Sequence, residues 1–125
     1  MHTKIETFMN PATDKYTMKR AKYTLRFVAK HLRGKSETVL DIGDPNMVGN
    51  YIANECNLNL QNTSGDLDCN FKAPSVKYDA VFCFEILEHL LAPKYFLIEL
   101  RKYLHKKSQI FITYPRRPKF LWTPL

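Results

Sequence analysis

The chain of 125 residues contains only four glycines: Gly34, Gly43, Gly49 and Gly65. That is few for a nucleotide-binding fold, where glycine lets the backbone approach a ligand closely. Its three cysteines, Cys56, Cys69 and Cys83, are odd in number and form no Cys-x-x-Cys pair. Both a disulfide framework and a zinc site are disfavoured by that pattern. Free thiols in a reducing compartment are the simpler reading, so the expected location is cytoplasmic. Polar residues, not an apolar signal core, follow Met1. No apolar run approaches the roughly 20 residues that a membrane-spanning helix needs, so no span is expected. Acidic residues are absent from 101–125.

What is present is an ordinary globular balance, 45% apolar and 25% charged. The length suits one hydrophobic core. The expected organisation is a loose arm over 1–12 and one domain over 13–125. The net charge of +7 is unevenly spread. Residues 1–36 carry nine Lys/Arg against two acids, residues 37–100 carry three against ten, and residues 101–125 carry seven against none. Basic flanks of this kind suit a nucleic-acid or anionic-membrane binder. Solvated helix faces and an incomplete C-terminal region are the favoured reading, since charge runs are usually surface.

Met18, Ala21, Leu25, Val28 and Leu32 recur at steps of three and four, the apolar stripe of an amphipathic helix. Thr13 or Asp14 is placed to cap it, and Gly34 follows its end. Thr38–Asp41 reads as a short buried strand and Met47–Cys56 as a helix. Leu58–Ser64 reads as a weaker strand, and Tyr78–Phe84 as a continuously apolar one. Pro93 suits the first turn of a helix running to Lys107, with Phe96, Leu97, Leu100, Tyr103 and Leu104 on its buried face. Ile110–Tyr114 is the last expected strand. Alternation of this kind predicts an α/β fold: a Rossmann-like, mostly parallel sheet of about four to five strands flanked by helices.

In such a sheet the ligand lies beyond the carboxyl ends of the strands, where strand order reverses. Polar residues stand at each expected end: Asp41-Ile42-Gly43-Asp44, Gly65-Asp66-Leu67-Asp68, Phe84-Glu85 running into Glu88-His89, and Thr113-Tyr114. The string Val39-Leu40-Asp41-Ile42-Gly43 resembles the first motif of class I S-adenosylmethionine-dependent methyltransferases. Tyr78 to Leu90, reading YDAVFCFEILEHL, resembles that family's fourth-strand motif and the Glu-His-Leu helix start after it. The resemblance covers about residues 36–115. It implies a minimal or truncated methyltransferase fold with S-adenosyl-L-methionine as cofactor. It implies that Asp41, Ile42, Gly43 and Asp44 hold the methionine end, with Asp41 orienting the amino group. Asp66 would accept the ribose hydroxyls, Leu67 and Asp68 would meet the adenine, and Phe84 and Glu85 would line the pocket.

The chain departs from the family pattern in two places. Pro45 and Met47 stand where the second and third glycines belong, and Gly49 comes too late to replace either. Between Leu67 and Tyr78 there is no room for the usual helix and strand. Loss of an edge strand is the preferred explanation, because loss of an inner one would leave unpaired backbone groups. Phe120, Leu121, Trp122 and Leu125 look like the start of something buried, and a second copy covering the open sheet edge is one expected partner.

Glu85, Glu88 and His89 stand at i, i+3 and i+4, on one face if the segment is helical. Glu88 and His89 are the candidate catalytic pair; local pairing of Glu88 and packing of His89 are the structural alternatives. No metal is expected. Cys83 is read as core, not nucleophile. The expected function is transfer of a methyl group to an unidentified acceptor, with an anionic small molecule favoured over nucleic acid. The alternatives are a non-catalytic methyltransferase-like interaction module and an RNA-modifying or RNA-binding domain.

Overall fold

The structure, a computed structural model, describes residues 14–34 and 38–115. In chain order its elements are α1 (Asp14–His31), β1 (Thr38–Asp41), α2 (Met47–Glu55), β2 (Asn59–Asn62), β3 (Tyr78–Phe84), α3 (Pro93–Leu100) and β4 (Leu104–Thr113). Single 3-10 turns stand at Leu87–His89 and Arg101–Tyr103. The four strands form one parallel sheet in the order β2-β1-β3-β4. The fold is α/β and Rossmann-like, with three helices around four strands. The sheet is continuous, and its order reverses between β1 and β3. Among the described residues no helix is long and apolar enough to cross a membrane.

The strand alternation divides the core into two layers. On one face Ala80, Phe82 and Phe84 of β3 meet Ala21 and Val28 of α1 and Val48 and Ile52 of α2. On the other face Val81 and Cys83 meet Phe96 and Leu100 of α3 and Phe71 of the preceding loop. A strand covered on both faces needs apolar residues at every position, which is why β3 reads as an unbroken apolar run. Each large side chain so buried contributes roughly 1.5–3 kcal/mol. Tyr78, also fully buried, keeps its hydroxyl satisfied. It donates to Gln61 Oε1 at 2.5 Å and accepts from the Ser75 amide at 2.9 Å.

The bounds of β1 and β3 fall where the pattern placed them. The largest difference lies after Pro93, which stands at the first helical position as expected. The helix ends at Leu100, not at Lys107, and β4 begins at Leu104 instead of Ile110. Leu97 is 38% exposed, so it leaves the buried face assigned to it. The early part of β4 is polar, and tertiary contacts fix it. The His105 ring pairs with Asp79 Oδ1 at 3.0 Å, and Ser108 Oγ donates to the Tyr78 carbonyl at 2.6 Å. The register is irregular between Tyr78 and Ala80, where this polar part meets the apolar one.

Helix α1 runs back along β4. At its end the Gln109 carboxamide accepts from the Arg33 amide and donates to the His31 carbonyl, each at 2.8 Å. Gly34 then takes a φ of 62°, the left-handed conformation that ends a helix at low cost. The expected arm over 1–12 and the apolar residues Phe120, Leu121, Trp122 and Leu125 lie outside the described residues.

Candidate functional site

At the carboxyl end of β1 the chain turns through Gly43, whose φ of 100° favours glycine. Two side chains from β2 and just beyond hold this turn. Thr63 Oγ1 accepts from the Gly43 amide at 2.8 Å, and Asn62 Nδ2 donates to the Gly43 carbonyl at 3.0 Å. Ile86 closes the other side, with its Cδ1 3.9 Å from where a Gly43 Cβ would stand. Ile42 is buried in the α3-side layer, while Asp44 is exposed.

Asp41 is 2% exposed. Its Oδ2 accepts from Asn46 Nδ2 at 3.0 Å and from Asn62 Nδ2 at 3.2 Å. Burial pushes its carboxyl up to about 7, and the two carboxamide donors pull less strongly in the opposite direction. Asn46 also caps α2 by accepting from the Gly49 amide at 2.9 Å. Gly49 is needed for close approach: a Cβ there would stand 2.3 Å from Asp41 Oδ2. Pro45 precedes this cap, and Met47 is the first helical residue, buried in the α1/α2 layer. The two positions that lack glycine therefore build a helix start. Sequence reasoning missed Asn46, Asn62, Thr63 and Gly49. Only Asn46 left a local signal, an N-cap residue three positions before Gly49.

The loop after β2 reverses at Gly65, where φ is 86° and a Cβ would lie 2.9 Å from the Asn70 carbonyl. Asp66 is exposed, and its Oδ1 accepts from the Asp68 amide at 2.8 Å. Asp68 Oδ1 accepts from the Ala92 amide at 2.8 Å, which ties this loop to the start of α3. Leu67 packs against the α3-side core.

At the end of β3 the Phe84 ring stacks on Phe82, with centroids 4.8 Å apart, so it belongs to the core. Glu85 has a φ of 56°. For a residue with a Cβ that conformation costs on the order of 1 kcal/mol, and such strain clusters at functional sites. The Glu85 amide donates to the Thr113 carbonyl at 3.0 Å. Its carboxylate pairs with Arg20 Nε of α1 at 2.7 Å. The pair lines a cavity of about 310 Å³, with Tyr16, Lys19 and Tyr23 of α1 and Tyr114 after β4 among its other walls.

Glu85 is not on a helical face with Glu88 and His89, since only Leu87–His89 forms a helical turn. Glu88 and His89 are exposed, and Glu88 borders a separate apolar groove of about 550 Å³ alongside Leu97, Ile98 and Tyr114. Among the described residues no group of three His, Cys, Asp or Glu side chains stands ready to hold a metal ion. Burial pushes the Cys83 thiol up to about 12, so it is a poor nucleophile.

The expected residues thus fall into three places. Asp41 and Gly43 lie in the β1–α2–β2 corner, Asp66 and Asp68 lie in the loop tied to α3, and Glu85 lies in the α1–β3–β4 cavity. No family model, no curated protein and no solved structure matches the chain.

Proposed function

We propose that the chain is a methyltransferase domain that uses S-adenosyl-L-methionine and acts on an unidentified acceptor. One observation carries this reading: the two strands flanking the switch point both leave the sheet through left-handed residues, Gly43 and Glu85. The carboxyl end of an open parallel sheet at its switch point is where such folds take a ligand, and Gly43 stands there without a side chain.

The residues fit the cofactor in part. Gly43 carries no side chain, but Ile86, Asn62 and Thr63 enclose its turn, while exposed Asp66 retains acceptor capacity for ribose hydroxyls beyond its bond to the Asp68 amide. Asp41 fits its family role poorly, because its carboxyl is buried among Asn46, Asn62 and Gly49. When bound, the cofactor supplies an electrophilic methyl group on a sulfonium. The chain's own part is binding and alignment, the main requirement of such a transfer. Glu88 and His89, both exposed, are the candidates for accepting a proton from a poorly nucleophilic acceptor. A cytoplasmic location belongs to the same proposal, in keeping with free thiols at Cys56, Cys69 and Cys83. So does a second copy over the β4 edge, on which no further strand pairs among the described residues.

Calorimetric titration with S-adenosylhomocysteine tests this. Binding is expected, weakened by roughly 1.5–3 kcal/mol in Asp66→Ala, the scale of a hydrogen bond to a charged group. No heat at millimolar ligand overturns the reading. That result would favour a non-catalytic interaction module, for which the internal bonding of Asp41 and Asp68 is the supporting observation.

A further inference from the structure

The outer face of α1 carries two kinds of side chain that a merely solvated helix does not need together. The helix has six Lys or Arg residues, and Asp14 is its one acid. Of the six, Lys15, Lys19, Lys22, Arg26 and Lys30 are exposed. Tyr16 and Tyr23 are also exposed, at 70% and 59%. At about 3.6 residues per turn, Tyr16 and Tyr23 fall in one row and the exposed cations fall in the arc beside it. The Arg26 guanidinium lies 5.5 Å from the Tyr23 ring centroid. The aromatic row leads into the cavity beside the Arg20–Glu85 pair, where Tyr114, 62% exposed, supplies a third ring.

We propose that this face binds single-stranded nucleic acid. Tyr16 and Tyr23 act as stacking platforms for bases, and Lys19, Lys22 and Arg26 contact backbone phosphates. Open rings beside a line of cations match both halves of a single strand, its bases and its phosphates. The cavity of about 310 Å³ is at the small end for ligand pockets and suits one nucleoside unit. A duplex would hide the base faces that the tyrosines need. An anionic membrane fits less well, because a helix that lies in a bilayer surface buries its apolar side in lipid. The apolar side of α1, with Ala21 and Val28, is already buried in the core. The binding surface stands without the cofactor. Only its extension, that a nucleotide is the methyl acceptor, rests on the methyltransferase reading, and the two are tested with different ligands.

The test is fluorescence anisotropy with labelled oligouridylate and oligothymidylate, against a duplex, inorganic polyphosphate and phosphatidylserine vesicles, over a salt series. Saturable binding to either single strand is expected, and the two arms tell RNA preference from DNA preference. Tyr16→Ala with Tyr23→Ala should weaken it at least about tenfold, given the usual worth of base stacking. Lys19→Gln with Lys22→Gln and Arg26→Gln should lower the log–log salt slope by about 2, as three lost phosphate contacts require. These positions are exposed, and circular dichroism checks that each variant folds. If the tyrosine variant does not fold, the cation variant and the polyphosphate comparison still decide. The proposal is overturned by no binding to either single strand at low salt. Equal affinity for polyphosphate or duplex also overturns it, as does tighter binding to vesicles.

Discussion

The β1–α2–β2 corner and the α1–β3–β4 mouth both centre on a carboxylate at a strand end, and they treat it in opposite ways. In the corner, Asp41 is enclosed, its charge opposed by burial and its Oδ2 bonded to two carboxamides. In the mouth, Glu85 stands on strained backbone, partly open, against a long side chain from a helix distant in sequence, Arg20. The first arrangement fixes a turn, and the second leaves polar groups facing a cavity. The difference shows that an acid at a strand end is a structural part where the neighbouring helix packs down on it. It is a candidate functional group where the helix stands off.

The most severe way to break the corner is to fill the space that Gly49 leaves. Gly49→Ala places a methyl group against Asp41 Oδ2 and should destabilise by about 3 kcal/mol, the upper range for overpacking. Denaturant unfolding measures it. Adding Asp41→Ala should recover part of the loss, and strict additivity of the two changes would sink the account.

The next effect concerns protonation. Folded Asp41 keeps its proton up to about 7, whereas the unfolded side chain loses it near 3.8. Between those values the unfolded state binds fewer protons, so stability falls as pH rises from about 4 to about 7 and levels off above. Asp41→Asn removes this titration. Its melting temperature should gain on the unaltered protein across that window and hold the gain above it. A constant difference between the two proteins at all pH values would mean that Asp41 is not buried as described.

The smallest effect belongs to the mouth. Arg20→Gln removes an ion pair whose partners are 36% and 20% exposed. The expected cost is about 0.5 kcal/mol, shrinking further in high salt. A loss as large as that of Gly49→Ala would erase the contrast between the two regions.

The sequence made the central strands legible because burial on both faces leaves an unbroken apolar run, as in Ala80 to Phe84. The boundary after Leu100 was misread for a physical reason. Leu100, Tyr103 and Leu104 continue the helical spacing, and His105 to Ser108 carries no strand pattern of its own. Contacts to Tyr78 and Asp79, far away in the chain, make that segment a strand. The site was legible as a set of strand ends. The bonding of each acid was not, since Asp41 depends on Asn62 and Glu85 depends on Arg20, partners that no local window joins.

The two-way bond from Gln109 has a mechanical consequence. An amide that accepts from Arg33 and donates to His31 admits one orientation, so it acts as a keyed clamp on the last turn of α1. Toward the other end of the helix, Arg20 makes a half-exposed ion pair with Glu85. Between these two points Ala21 and Val28 are fully buried, so the helix is a beam keyed at one end and seated along its length. A tilt of about 5° about the clamp would carry Ala21 by roughly 1.3 Å at 1.5 Å rise per residue, and a close-packed core resists such a shift. The spacing of Tyr16 and Tyr114 across the cavity is thus fixed by the core beneath α1, where Phe27 meets Phe111.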